Sequence, residues 1–241
     1  MADFRTHMTV STIAGAIYGY AGFRSGLAWE TCCIGAGLCS VSGMLPDLDS
    51  DSGIPLREAT TFASALIPML MVERMERMGI GHEMMILLTG AIYLFIRFGV
   101  AEIFRRYTVH RGMWHSIPAA MLVGMIAFLV CGSEDIGIRL YKTMAVVLGF
   151  LSHLLLDEIW SIEFKGARYQ YKSSFGTALK LWGNDRIANI MTYTKVAILA
   201  CLVYNDEGFM QRFGYRQPDV PHTAKQLVDM LLDQSEHWLK R

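Results

Sequence analysis

Seven apolar segments alternate with short polar stretches along the first 204 residues of the chain. They cover residues 8–22, 27–45, 59–72, 83–100, 116–132, 140–156 and 187–204. Some have no polar face, as in AAMLVGMIAFLVCG at 119–132, and a helix that is apolar on all sides belongs in a large core or in a membrane. A bilayer core requires about 20 residues, which most of these segments reach or approach. The pattern predicts an all-α fold, a polytopic membrane helical bundle of six to seven apolar helices.

Two segments leave the number of crossings open. The third, 59–72, contains Pro68 and is short, so it either spans obliquely or pairs with the fourth as a re-entrant element. The seventh, 187–204, has Lys195 at its centre, which permits a helix that lies along the membrane surface. A soluble helical protein is the alternative to a membrane bundle, but the near-absence of polar faces argues against it.

The character of the chain changes after residue 204. Residues 205–241 are polar, and 222–239 reads as an amphipathic helix whose apolar positions are Leu227, Leu231, Leu232 and Trp238. We therefore expect two parts: a membrane-embedded domain over 1–204 and a polar C-terminal tail with a small amphipathic helix over 205–241.

Composition agrees with a membrane protein and excludes several other classes. Hydrophobic residues make up 53% and charged residues 18%, against about 25% charged in an ordinary soluble chain. The 22 basic and 22 acidic residues cancel, which argues against nucleic acid as a partner, because nucleic-acid binders carry a basic surface. The five cysteines are odd in number and form no CxxC pair, so neither a disulfide framework nor a thiolate zinc site is indicated.

Four short polar motifs interrupt the apolar background. His153 and Asp157 stand four residues apart, on one face of the sixth apolar segment. Ionisable groups at the ends of apolar helices are costly and tend to be functional. The motifs are His7, Pro46-Asp47-Leu48-Asp49, His110-Arg111-Gly112-Met113-Trp114-His115-Ser116 and His153-Leu154-Leu155-Leu156-Asp157.

Counting crossings places all four motifs on one face of the membrane. If His7 starts on one side, the chain returns to that side with Asp47 and Asp49 after two spans. It returns again with the His110–Ser116 motif after four spans and with Asp157 after six. The conclusion holds if the third and fourth segments both span or both fail to span.

The converging groups have the chemistry of metal ligands. Imidazole binds zinc, iron and other transition ions, and carboxylate oxygen also binds manganese and magnesium. A tetrahedral zinc uses three or four protein ligands, so seven candidates indicate one ion with additional polar groups around it, or two ions bridged by a carboxylate. We predict one or two divalent ions, zinc before manganese or magnesium. The candidate ligands are His7, Asp47, Asp49, His110, His115, His153 and Asp157.

These residues resemble a known family over roughly residues 1–160. The early histidine, the Pro-Asp-Leu-Asp motif, the His-Arg-Gly-x-x-His-Ser motif and the His-x-x-x-Asp helix end are similar to those of the YdjM-like, LexA-regulated inner-membrane metal-dependent hydrolases. The resemblance extends more distantly to the zinc phospholipase C and P1 nuclease group. It implies a bacterial inner-membrane protein that hydrolyses phosphate esters with the seven ligands just named.

Two functions follow as hypotheses. The first is a membrane-bound metal-dependent hydrolase of a phosphate ester, either a lipid or a phosphorylated small molecule, in which metal coordination activates water. Asp49 or Asp157 would act as general base, and Arg111 would contact the phosphate. The alternative is a non-catalytic divalent-metal-binding or transport membrane protein. The sequence leaves the substrate and the oligomeric state open.

The distribution of basic residues predicts the side on which the motifs lie. Ten lysines and arginines fall on the motif face and five on the opposite face; if the seventh segment spans, Arg212 and Arg216 join the latter. Cytoplasmic loops are richer in lysine and arginine near helix ends. We therefore expect a multi-pass protein of the inner membrane with its site on the cytoplasmic face.

Overall fold

The fold is helical, and each of the seven apolar segments coincides with a helix. The computed structural model describes residues 3–49, 53–100, 102, 113–165, 168–171 and 176–213, and only the backbone at 49, 163–165 and 168–171. Its helices are α1 (Phe4–Arg24), α2 (Trp29–Ser42), α3 (Ile54–Arg77), α4 (His82–Leu94), α5 (Ile117–Val130), α6 (Ile136–Trp160), α7 (Arg186–Tyr204) and α8 (Glu207–Arg212).

Three shorter elements complete the described part of the chain. A 3-10 helix covers Leu45–Asp49, and a π-helical segment, Phe95–Val100, continues α4. Strands β1 (Ile162–Lys165) and β2 (Arg168–Tyr171) form an antiparallel hairpin in which Ile162 faces Tyr171. The apolar pattern did not predict this hairpin. The predicted amphipathic helix over 222–239 lies outside the described residues.

Polar side chains fix the starts of several helices. Asp3 accepts a hydrogen bond from the Thr6 amide at the start of α1, and Ser116 accepts one from the Ala119 amide at the start of α5. A capping side chain of this kind satisfies an amide that the first helical turn leaves unpaired. Because Ser116 follows His115 directly, this cap also fixes the position of that histidine just before the start of α5.

The seven long helices alternate in direction between two ends of the bundle. At one end, the motif end, the amide of Ile117 donates to the carbonyl of Lys180, just before α7. At the opposite end, Arg74 at the end of α3 donates to the carbonyl of Leu129 in α5 and to Asp206 after α7. Leu56 at the start of α3 belongs to the apolar cluster of Met44 and Leu48 at the motif end. Both α3 and α7, the two segments that the sequence left open, therefore run from one end of the bundle to the other.

Three helices of the described chain are long and apolar enough to cross a membrane by length and composition: His82–Val100, α6 and α7. The apolar α5 has only 14 residues, about 21 Å of helix against a hydrocarbon core of about 30 Å. The expectation of six to seven spanning helices is thus not confirmed. Of the 18 most apolar consecutive residues in each span, 6% are buried in His82–Val100 and in α7, against 50% in α6, so α6 is the central helix.

Close backbone contact holds α2 and α6 together near the motif end. A side-chain carbon at Gly149 in α6 would overlap the carbonyl oxygen of Cys39 in α2, and one at Gly15 in α1 would lie 2.5 Å from the carbonyl oxygen of Ala36. Small residues at helix contacts let backbones approach in this way. The approach brings the end of α2 next to the last turns of α6.

A buried ion pair secures the opposite end. Arg139 in α6, 2% exposed, binds Asp206 through two bonds of 2.7 and 3.0 Å, and Arg74 adds a third at 2.8 Å. Burial acts to raise the pKa of Asp206, but the hydrogen bonds from Arg139 and the charges of the two guanidinium groups lower it by more. The polar tail therefore begins with residues that are anchored to the bundle.

We expect the substitution Asp206→Asn to destabilise the protein by about 3–5 kcal/mol, because it leaves the Arg139 charge buried without its partner. The exposed neighbour provides a control, since Glu207→Gln should change the unfolding free energy by less than about 0.5 kcal/mol. Thermal unfolding in detergent at neutral pH measures both. Equal stability of the two variants would show that the ion pair contributes nothing.

The same pair predicts a pH dependence. The pKa of Asp206 is lower in the folded protein than in the unfolded chain. Its contribution to the free energy of unfolding is therefore fully present above the unfolded-state pKa of about 4, and is lost as the pH falls through the folded-state pKa. Wild-type protein should therefore lose more stability on acidification below about pH 4 than Asp206→Asn does.

Candidate metal centre

The motif end of the bundle gathers five of the seven predicted ligands. His7 lies in the first turn of α1, Asp47 in the 3-10 helix, His115 just before α5, and His153 and Asp157 in the last two turns of α6. The three histidines and Asp157 are at most 6% exposed. Asp49 ends the 3-10 helix, but its side chain lies outside the described part of the chain. His110 and Arg111 also lie outside the described residues.

Asp157 is enclosed by imidazole rings. Its Oδ1 lies 3.2 Å from His7 Nε2, and its Oδ2 lies 3.1 Å from His115 Nε2 and 3.8 Å from His153 Nε2. Although close to His7, the buried Oδ1 makes no hydrogen bond. One carboxylate therefore joins residues from three elements that are far apart in the sequence.

The tautomer of His153 follows from its surroundings. Its Nδ1 lies 2.7 Å from the carbonyl oxygen of Gly43, which can only accept, so Nδ1 carries a proton. In the neutral ring, Nε2 then presents a lone pair. This atom is buried, has no hydrogen-bond partner, and faces Asp47 Oδ1 at 3.5 Å and Asp157 Oδ2 at 3.8 Å. Acceptor atoms that face one another in this way are stabilised by positive charge between them, either a proton on Nε2 or a metal cation.

Two overlapping groups of ligand atoms result. His7, Asp47 and His153 form one group, and His115, His153 and Asp157 form the other; within each, the candidate atoms lie within 4.8 Å of one another. The His7 ring stacks on the His153 ring at 3.6 Å, and the His115 ring meets it edge-on at 5.3 Å. His153 is therefore common to both groups.

The charge of the centre suits a divalent ion. Burial acts to raise the pKa of Asp47, but its contact with His153 and positive charge on the surrounding imidazoles lower it by more. Where the imidazoles are neutral, a metal cation would supply that positive charge. A buried carboxylate beside a second, partly exposed one is unfavourable without compensating positive charge. A divalent cation would balance both charges and engage the unpartnered His153 Nε2, so the residues present fit the predicted ion.

Backbone carbonyls orient the histidines, and the sequence motifs did not reveal them. Besides Gly43, the carbonyl oxygen of Pro46 lies 3.4 Å from His115 Nδ1, while Trp114 Nε1 donates to the carbonyl of Leu45 at 2.7 Å. Such contacts fix the ring orientation and tautomer of a metal-binding histidine. Trp114 stands inside the third motif, which was the available signal, and its indole positions the 3-10 helix.

We expect His153→Ala to abolish metal binding, because the ring belongs to both ligand groups. Elemental analysis of the purified protein should find at least one zinc or other divalent ion per chain in the wild type and almost none in the variant. His82→Ala is the matched control, since His82 is exposed at the first turn of α4, and its metal content should equal that of the wild type. Unchanged metal content in His153→Ala would contradict the assignment.

Comparison with known proteins identifies the family to which the chain belongs. No curated protein and no solved structure matches this chain. A family model described as YdjM inner membrane protein matches residues 1–171, a range that contains all four motifs and the five residues of the centre. This description names a membrane and no activity, and the comparisons give no support for the predicted likeness to zinc phospholipase C or P1 nuclease. The chain therefore belongs to the YdjM inner membrane protein family.

Proposed function

We propose that this protein is a membrane-bound metal-dependent hydrolase that cleaves a phosphate ester. The observation that carries the proposal is the lone pair of His153 Nε2, buried without a hydrogen bond and facing the carboxylates of Asp47 and Asp157. A proton on Nε2 would be sufficient if only His153, Asp47 and Asp157 were present, since the ring would then donate to the carboxylates. The convergence of two further imidazoles, His7 and His115, favours a metal ion, for which imidazole and carboxylate are the usual ligands.

The described residues support one ion. With its Nδ1 committed to Gly43, His153 has a single lone pair and binds a single ion through Nε2. His7, Asp47, His115 and Asp157 would complete the coordination of that ion or orient its ligands. A second ion would require Asp49 and His110, the predicted ligands whose side chains lie outside the described part of the chain.

Zinc, when bound, would supply a Lewis acid that polarises a phosphoryl oxygen and lowers the pKa of water. The chain's own groups divide the remaining tasks. Asp157 faces three imidazoles, an enclosure that suits a ligand better than a general base. Asp47 is 19% exposed and forms the more open side of the centre. Asp49, two residues further along the 3-10 helix, is our proposed general base, and Arg111 our proposed phosphate contact.

A second candidate function is metal binding without catalysis. The burial of His7, His115, His153 and Asp157 favours it, because structural metal sites are closed whereas catalytic sites keep an open position. The two functions differ in one respect that can be measured. Both predict a bound metal, but only the hydrolase predicts turnover.

We expect zinc-loaded protein to hydrolyse at least one member of a panel of p-nitrophenyl phosphate, bis-p-nitrophenyl phosphate and phosphatidate. Asp47→Asn should lower kcat/KM by about a hundredfold, the effect expected when a group that holds or orients the metal is lost. Asp135→Asn is the control, since this exposed cap of α6 lies at the opposite end of the bundle. Stoichiometric metal with no hydrolysis of any member would reverse the ranking of the two functions.

We also propose that the centre faces the cytoplasm, as the basic loops of the motif end predict. Because α7 leads from the motif end to Asp206 at the opposite end, Phe213, directly after α8, would then lie on the periplasmic side. A reporter fused after Phe213 should therefore be active as alkaline phosphatase and dark as green fluorescent protein. The reverse pattern would place the centre on the periplasmic side.

A further inference from the structure

A second polar feature lies at the motif end of the bundle, where α4 changes its winding. Over Phe95–Val100 the helix is π-helical, and Arg97 lies in this segment, within the candidate span His82–Val100. A π-turn inside a helix is uncommon and occurs frequently at functional sites. An arginine within a membrane span is costly and marks a functional site by default. The proposed metal chemistry uses neither feature.

A cavity of about 410 Å³ opens between this π-helical segment and the first two turns of α3. Its volume is in the range of small-molecule sites. The cavity lies at the motif end of the bundle, because Leu56 in its wall belongs to the same apolar cluster as Met44 and Leu48, which flank Asp47 in the sequence. The lining residues are Gly53, Leu56, Arg57, Thr60, Arg97, Phe98 and Glu102.

The lining favours an anion. Arg57 and Arg97 contribute two positive charges against the single negative charge of Glu102, which makes an interaction of its own. Arg57 also pairs with Glu58 at 2.9 Å, but that pair is exposed and therefore weak enough to exchange for a ligand. The N-terminus of the 24-residue helix α3 adds its positive dipole end, since the cap Gly53 offers no side chain to its first amides.

The walls favour an anion that carries an acyl chain. Leu56 and Phe98 provide apolar surface inside the cavity, and Phe98 is 65% exposed. The adjacent Phe95 and Ile54 are 60% and 48% exposed, so the rim continues as apolar surface of the kind that contacts lipid. A free phosphate ion would leave this apolar wall unused.

We propose that this cavity binds the phosphate group of an anionic lipid, with Arg57 and Arg97 as the cationic contacts and Leu56 and Phe98 along its acyl chain. Binding here does not require the metal centre to be catalytic. The inference therefore goes beyond the proposed hydrolase and is tested separately from it, by a lipid-binding measurement in which no hydrolysis is followed.

The test is native mass spectrometry of the full-length protein in neutral detergent, titrated with phosphatidate, phosphatidylcholine or inorganic phosphate. Phosphatidate should bind about tenfold more tightly than phosphatidylcholine, and inorganic phosphate should not displace it. Arg97→Gln should weaken phosphatidate binding about tenfold or more, as expected for loss of a charge-assisted contact. Arg97→Lys, which keeps the charge, should retain most of the affinity.

Two controls make the outcome specific. Arg24→Gln removes an exposed arginine from the last turn of α1, at the opposite end of the bundle, and should leave phosphatidate binding unchanged. Glu102→Gln removes the one negative charge of the lining and should preserve or strengthen binding. Equal affinity of folded Arg97→Gln and wild type for phosphatidate would overturn the proposal. Displacement of phosphatidate by inorganic phosphate would also overturn it, by assigning the cavity to the free ion.

Discussion

The constraint on which the rest of the structure depends is the placement of two carboxylates, one buried and one partly exposed, among three buried imidazoles. Asp47 and Asp157 are held at the motif end of an apolar bundle, where an uncompensated charge is expensive. His153, with Nδ1 fixed by Gly43, cannot neutralise both carboxylates while it is uncharged. A divalent cation would resolve this conflict. The elements of the fold that meet here, namely α1, the 3-10 helix, the start of α5 and the end of α6, each hold one or two of the five candidate ligands.

The central helix α6 connects this centre to a second polar cluster. Asp157 near its end and Arg139 near its start are separated by 18 residues, about 27 Å of helix. The Arg139–Asp206 pair anchors the chain beyond α7, while the close contact at Gly149 sets the distance from α2 to α6. Because the Gly43 carbonyl at the end of α2 contacts His153, this packing distance also sets the geometry of the candidate metal centre.

The sequence predicted the helices and the convergence of the motifs for one physical reason. Long apolar runs dictate buried or lipid-facing helices, and alternation of their directions places His7, Asp47, His115 and Asp157 at the same end. The same reasoning could not predict individual tertiary contacts or local changes in helix winding. In the sequence Asp206 is one residue of a polar tail, and nothing there indicates its contact with Arg139. The π-helical turn around Arg97 has no distinguishing pattern within an apolar segment. The carbonyl of Gly43 has no sequence signature at all, because every residue carries one.

X-ray absorption spectroscopy at the zinc edge, on the purified zinc-loaded protein, tests the central claim most directly. We predict coordination by nitrogen and oxygen alone at about 2.0–2.1 Å, with the outer-shell scattering of imidazole. The five free cysteines should contribute no sulfur ligand. Failure to retain zinc, or a zinc–sulfur distance of about 2.3 Å, would contradict a metal centre built from His7, Asp47, His115, His153 and Asp157.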